Sequence, residues 1–467
     1  MKFTYEAILD ATGGTPLAPP ALPFDADGAR IATDTRALEP GDAFLALRGE
    51  RFDGHDFVGD AFGRGASLAI VARPESVPAG RPAVMVDDPL RAYMALGKAA
   101  RLRSEARFVA ITGSTGKTTT KTLLVQLLAH LGRHVAATPQ NENNEIGVSK
   151  LLLGLEGGEE IVVVEMGCRH YGEIAELVAV ALPHVGVLTN IGEAHLEILG
   201  TRERIAETKW GLFASGAAAI LNLADEESQR RADSLGTREI EWFGAGTRLD
   251  VRLPATLISP SNTLTFVSER RREEHRIDVT LPGEHNVANL AAAAAAAHAL
   301  GETPERIASV ISASLVLPPG RYEQIGLGDD VKVIYDAYNA SLSGTLATLR
   351  AFGAEPAARR IAVLGGMAEL GPESPQMHAR AGAAAHENGV DLLLAGGAFA
   401  ESTARGAIDA KMPAERVLVY RDNLEAIEAL RRWLRRGDVV LLKGSRTYKM
   451  EQILAALRGE LRVAEVR

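Results

Sequence analysis

The clearest chemistry in this chain lies in the stretch Ile111-Thr112-Gly113-Ser114-Thr115-Gly116-Lys117-Thr118-Thr119-Thr120. The apolar run Phe108-Val109-Ala110-Ile111 before it reads as a buried strand, and 121–128 after it reads as a helix. A Gly-rich turn between strand and helix aims backbone N–H groups and the positive end of the helix at an anion. Lys117 adds a point charge for the outer phosphates, and Thr118 adds a hydroxyl for Mg²⁺. The loop has the short form T-G-x-x-G-K-T, because the position five residues before Gly116 is Ile111. Residues Gly113, Ser114, Thr115, Gly116, Lys117, Thr118 and Thr119 are therefore expected to cradle a nucleoside triphosphate.

Other polar residues follow apolar runs. Glu165 ends Ile161-Val162-Val163-Val164 and is either a solvated strand-end carboxylate or a ligand to a Mg²⁺ shared with Thr118. His195 follows the strand 185–189 and is either a plain loop residue or a metal ligand through a neutral ring nitrogen. Lys209, in a segment that reads as a helix with one buried face, looks by periodicity like a solvated lysine. Asn286 and Asn289 lie three apart on one helix face, able to bind an adenine edge or to cap the helix. Asp336 ends a later strand and suits a ribose hydroxyl, while Arg321 suits a phosphate. Lys443 and Arg446, after the last strand, suit a substrate carboxylate.

The elements that must position these groups form an α/β chain. At 467 residues it is too long for one core. Three parts are expected: 1–106, a mixed α/β unit; 107–314, a parallel sheet with helices on both faces and a small antiparallel insertion near 250–280; and 315–467, a second Rossmann-like α/β unit. The expected strands are 107–112, 161–166, 185–189 and 218–222, then 331–336, 360–364, 390–394, 416–420 and 438–442. The charged stretch 101–105 suggests a linker. Composition is ordinary, with 46% hydrophobic and 24% charged residues. A formal net charge of −9 offers no basic field, so no nucleic-acid partner is expected. One cysteine, Cys168, excludes an intrachain disulfide and fits a reducing compartment. No signal core or membrane-length apolar run is read, so a cytoplasmic, membrane-free chain is expected.

The ordered blocks T-G-S-T-G-K-T, Asn143-Asn144-Glu145-Ile146-Gly147, Glu165-Met166-Gly167, Thr189-Asn190-Ile191-Gly192-Glu193-Ala194-His195, Lys209, His285-Asn286-Val287-Ala288-Asn289, Gly320-Arg321, Asp336-Ala337-Tyr338-Asn339 and Lys443-Gly444-Ser445-Arg446 resemble the Mur ligases. The block 363–371 and the N-terminal Asp34-Thr35-Arg36 are most similar to the branch that joins D-alanyl-D-alanine to UDP-N-acetylmuramoyl-tripeptide. The resemblance implies an ATP-dependent amide ligase of peptidoglycan synthesis, working through an acyl phosphate. It implies two Mg²⁺ ions, one on Thr118 and Glu165, the other on His195 and a carbamylated Lys209. It gives Lys117, Glu165, His195 and Lys209 catalytic roles. It places Asn286, Asn289, Arg321 and Asp336 around ATP. Asp34, Thr35, Arg36, Asn143, Asn144 and Arg169, with Asn339, Lys443, Ser445 and Arg446, are expected around the uridine-nucleotide and dipeptide substrates. A monomer is expected.

Three departures from the family pattern stand out. Ser341-Leu342-Ser343-Gly344-Thr345 replaces the usual Asn-Pro-Asp-Ser-Met, Gly366 replaces an Asp, and Lys209-Trp210-Gly211-Leu212-Phe213 replaces Lys-Gly-Glu-Ile-Phe. The altered 341–345 segment keeps open a related ligase adding a different amino acid; a non-catalytic nucleotide-binding subunit is a further alternative, against which the intact Lys117, Glu165, His195 and Lys209 stand. The third residue of the tripeptide, meso-diaminopimelate or lysine, is not legible in the sequence.

Overall fold

A computed structural model describes residues 1–18, 28–49, 52–244, 255–258, 263–268, 273–311, 315–328 and 330–459. The expected boundary at 314 and part of the 250–280 insertion lie outside the described residues. Three sheets organise the rest. In the first, Ile31–Ala32, Ala43–Leu45, Leu68–Val71 and Ala83–Met85 run parallel, and Thr15–Ala18 closes the edge antiparallel.

The central sheet has nine strands. Its parallel part runs from Val135–Ala137 through Ile161–Glu165, Arg107–Thr112, Val185–Leu188, Ala218–Asn222 and Ile240–Phe243 to Ala255–Ile258. Such strands, covered on both faces, need nearly continuous apolar sequence; residues 162–164 and 108–111 are fully buried. The expected insertion is antiparallel, but it is not separate. Strands Ala255–Ile258, Thr263–Ser268 and Glu273–Asp278 extend the same sheet. The short strands 135–137 and 240–243 escaped the sequence reading because three or four residues carry little periodic signal.

One face is covered by helices Lys117–His130 and Glu284–Ala299. Residues 291–297 of the latter are consecutive alanines with no exposed surface. Their small side chains let this helix lie close against both the sheet and its neighbour helix. The third sheet holds parallel strands Val331–Asp336, Asp438–Lys443, Arg359–Leu364, Leu392–Ala395 and Val417–Val419, with Glu323–Gly328 added antiparallel at one edge.

The stretch 101–105 is no free linker. Helix Pro89–Arg103 runs through most of it, and buried Arg101 donates to the carbonyls of Ala181 and Leu182 at 2.8 and 3.0 Å. Those carbonyls end helix Glu173–Ala181, where a cation is favoured. Hydrogen bonds to a charged donor contribute roughly 1.5–3 kcal/mol each, so the N-terminal unit is fastened to the central one. One continuous apolar core runs across both.

Candidate active site

Register brings the chemistry together. Ile111 pairs with Glu165, and Thr112 with Leu188. The turn after Thr112, the carboxylate of Glu165 and the segment Thr189-Asn190 therefore leave the sheet at the same carboxyl edge, where ligands of open α/β sheets bind. Gly113 and Gly116 have φ of +152° and +82°. A Cβ at Gly113 would lie 1.9 Å from Thr189 Oγ1, and one at Gly116 would lie 2.4 Å from Asn289 Oδ1. Both positions thus need glycine for conformation and for space.

Asn190 holds the turn open. Its Oδ1 accepts from Thr115 N at 3.0 Å, and its Nδ2 donates to Thr115 Oγ1 at 2.8 Å. Ser114 Oγ accepts from Gly192 N at 2.8 Å. Thr119 is buried inside the helix. Lys117 Nζ donates to Gly113 O at 2.7 Å. Burial first, then repulsion from Lys209, lowers the Lys117 ammonium to about 8, against the pull of Glu165. Lys209, 1% exposed, donates to the same carbonyl at 3.2 Å and approaches Cys168 Sγ at 3.7 Å. Its neighbour Trp210, one of the departures, packs edge-on against Phe213 and donates to Ser234 Oγ.

Glu165 Oε1 accepts from Thr118 Oγ1 at 3.1 Å and from Asn143 Nδ2 at 2.8 Å. Its Oε2 lies 3.1 Å from the ammonium of buried Lys121 but makes no hydrogen bond of good geometry. Lys121 in turn donates to the carbonyls of Thr138 and Gln140. Glu165 N donates to Thr138 Oγ1. The Thr118 hydroxyl and the Glu165 carboxylate, whose Oε2 is under-satisfied, are oxygen donors of the kind Mg²⁺ takes. Asn144 caps helix Glu145–Leu153 through Gly147 N. Arg169 is exposed, with its backbone N–H donated to Glu173.

His195 goes elsewhere. Its Nδ1 lies 2.6 Å from Glu369 Oε2, which belongs to the C-terminal part of the chain. The hydrogen bond from His195 holds the Glu369 carboxyl below its ordinary value, against burial. Among the described residues, no group of three or more His, Cys, Asp or Glu side chains is arranged to hold a metal ion. A second metal position would thus depend on groups other than these side chains as they stand.

Around the third sheet, Asp336 and Lys443 face each other across adjacent strands and form a buried pair at 2.9 Å. Burial pushes the Asp336 carboxyl up, but Lys443 and then His285 outweigh it and hold it below its ordinary value. Thr348 donates to the same carboxylate, and Lys443 reaches the carbonyl of Asn339 at 3.3 Å. Asn339 Oδ1 accepts from Ala340 N. Arg321 and Arg446 lie over the ring of Tyr338, 4.3 and 5.7 Å from its centroid. Burial lowers Arg321, and it pushes His285 down to about 4. Ser445 Oγ accepts from Ala368 N. Asn286 Nδ2 donates to Pro282 O, just ahead of the helix, and does not cap it, whereas Asn289 faces Gly116 and Thr120. In the N-terminal sheet, exposed Arg36 and Asp34 pair at 2.6 Å beside Thr35, and this pairing lowers the Asp34 carboxyl to about 2.

The sequence reading missed Lys121, Thr138, Asn190 and Glu369. Asn190 had a signal, since it sits within a block that was noticed. Lys121 had none beyond its place one helical turn after Lys117.

The chain matches a known family in all three of its parts. The Mur ligase family, catalytic domain, matches residues 29–101; the Mur ligase middle domain matches 111–297; the Mur ligase glutamate ligase domain matches 320–446. The UDP-N-acetylmuramoyl-tripeptide--D-alanyl-D-alanine ligase of Synechocystis sp. is 35% identical over 92% of both chains. The enzyme of the same name from Escherichia coli is 33% identical over 92% of this chain and 93% of its own. A crystal structure of MurF from Acinetobacter baumannii superposes with a TM-score of 0.87 at 30% identity, covering 98% of this chain and 99% of the other. The MurF ligase of Thermotoga maritima, solved in complex with ADP, gives a TM-score of 0.80 at 29% identity, over 94% of this chain and 98% of its own. With matches in all three parts and over nine-tenths of its length, the chain belongs to the Mur ligase family.

Proposed function

We propose that this chain uses ATP to join D-alanyl-D-alanine to UDP-N-acetylmuramoyl-tripeptide, giving a UDP-muramoyl-pentapeptide. The observation that carries this reading is the full-length likeness to ligases of that name, at 33–35% identity. The site agrees with it. A peptide carboxylate attacks the γ-phosphorus of ATP, ADP leaves, and an acyl phosphate forms. The amine of the dipeptide then attacks the acyl carbon, and phosphate leaves with the amide bond made. Such phosphoryl transfer depends mainly on positioning and on neutralising charge. Lys117 and the N–H groups of the 113–119 turn meet the phosphates, with Asn289 and Asn190 fixing the turn. Arg321, stacked on Tyr338, adds a cation from the C-terminal part.

The proposal extends to ions and modification. Thr118 and Glu165 hold one Mg²⁺, and His195 with a carbamylated Lys209 holds a second; bound Mg²⁺ supplies further charge neutralisation. Lys209 favours this reading because a buried ammonium facing only a carbonyl and a thiol is a costly species. Residues 1–106 bind the uridine nucleotide through Asp34, Thr35 and Arg36. Residues 107–314 bind ATP, and 315–467 bind the dipeptide near Asn339, Ser445 and Arg446. Lys443, paired with Asp336, shapes that region from beneath. The chain works as a cytoplasmic monomer; among the described residues no helix is long and apolar enough to cross a membrane.

A second reading keeps the chemistry and changes the amine. It is favoured by residue 366, where the glycine has φ +104° and a Cβ would lie 2.9 Å from Tyr448 Cζ. The ring thus occupies the space an aspartate would need. The deciding experiment offers UDP-muramoyl-tripeptide, ATP and a mixture of D-alanyl-D-alanine with single amino acids, then weighs the product. A dipeptide adduct supports the main reading; release of phosphate with only a single amino acid added overturns it.

A further inference from the structure

The altered segment Ser341-Leu342-Ser343-Gly344-Thr345 opens helix Leu342–Gly353 of the C-terminal part. Ser341 caps the helix, its Oγ accepting from Gly344 N at 3.3 Å. The first turn of this helix lies against the phosphate-binding turn of the central part. A Cβ at Gly344 would lie 3.5 Å from Thr115 Cγ2. A Cβ at Gly192 would lie 2.8 Å from Ser343 Oγ and 3.5 Å from Ser114 Cβ, so Ser343, Gly192 and Ser114 meet at one seam. Lys117 folds back to the same end of the turn, its Nζ 2.7 Å from Gly113 O and 3.5 Å from Ser114 O. Lys117 is the charge for the outer phosphates, so that end of the turn meets the outermost one.

Ser343 Oγ is buried, yet it has no hydrogen-bond partner among the described residues. A hydroxyl withdrawn from water unpaired is unfavourable, and native chains keep few such groups without a reason. The residue as a whole is only half-buried. A change of staggered rotamer can therefore turn Oγ out of the seam while the helix stays in place. A hydroxyl can donate one hydrogen bond, and the acceptor that fits at this end of the turn is a phosphate oxygen.

We propose that Ser343 binds the terminal phosphoryl group of ATP: an unpaired hydroxyl of the C-terminal part, set beside Ser114, donates a hydrogen bond to an oxygen of that group. The inference rests on the reading of the chain as an ATP-dependent ligase. It moves the altered segment from the choice of amine to the grip on the nucleotide. A nucleotide without the terminal phosphoryl gains nothing from Ser343.

The test titrates the full-length chain, with Mg²⁺ present, against ADP and against the β,γ-imido analogue of ATP, each followed by calorimetry. Ser343→Ala is expected to bind ADP as the native chain does and the imido analogue about tenfold more weakly, the loss expected of one hydrogen bond to a charged group. Ser343→Cys, close in volume but only a weak donor, is expected to show the same split. It covers the case in which the alanine variant does not fold. Unchanged affinity for the analogue in a folded Ser343 variant overturns the inference and leaves the ligase reading standing. Equal losses for ADP and the analogue also overturn it, since the hydroxyl then supports the turn rather than the terminal phosphoryl. A native chain that binds neither nucleotide overturns the ligase reading, and the inference falls with it.

Discussion

The ammonium groups of Lys117 and Lys209 converge on one acceptor, the carbonyl of Gly113, at 2.7 and 3.2 Å. Two like charges near one dipole are stable only while that region lacks better options. Arrival of an anion would relieve their repulsion, and the proposed carbamylation of Lys209 would remove it.

The first consequence concerns protons. Lys117 sits near 8 in the folded chain against an ordinary 10.5. Below pH 8 both folded and unfolded chains are protonated there, so the cost of the buried charge is fully present. Between pH 8 and 10.5 the folded chain has already released this proton while the unfolded chain keeps it. Stability of the nucleotide-free chain therefore gains from this group as pH rises through that window. Binding of ATP near pH 8 should take up roughly half a proton at Lys117. Calorimetry in two buffers of different ionisation heat measures it, and zero uptake contradicts the assignment.

Lys209→Ala should lose nearly all turnover while remaining folded. A short-chain carboxylate added to the assay should restore part of the rate, because it can occupy the place of the carbamate. Full activity without any additive rules the modification out.

Gly113→Ala should destabilise the chain by about 2–4 kcal/mol, combining a strained backbone with a clash against Thr189. Urea unfolding reads this directly. A change within experimental scatter means that the turn relaxes more readily than its contacts suggest.

Lys121 and Glu165 form a buried pair. Removing one member should cost about 3–5 kcal/mol, since the other charge is left buried alone. Lys121→Met should therefore lower the melting temperature sharply. The double variant Lys121→Met/Glu165→Gln should recover much of the loss, though not the activity. Additive losses in the double variant contradict this coupling.

Arg36→Ala should raise KM for the uridine-nucleotide substrate severalfold and leave kcat and the melting temperature nearly unchanged, because the Asp34–Arg36 pair lies on the surface. Steady-state kinetics with ATP saturating decides it.

Much of this was present in the order of residues. The phosphate-binding turn is contiguous, so its glycines, Lys117 and Thr118 are legible without any fold. The long buried strands were legible too, because an element covered on both faces must be apolar throughout: Arg107–Thr112 falls where it was expected, and Ile161–Glu165 and Arg359–Leu364 fall within a residue of expectation. What the chain order could not reveal are pairings made across the fold. Glu165 meets Lys121 because helix Lys117–His130 packs on the sheet against strand Ile161–Glu165. Asp336 consumes the charge of Lys443 because two strands distant in sequence are neighbours in the sheet. His195 turns to Glu369, 174 residues away, because the third part of the chain closes onto the second. Local sequence determined which groups could do chemistry; only tertiary contact, which fixes distance and burial, decided which of them face one another.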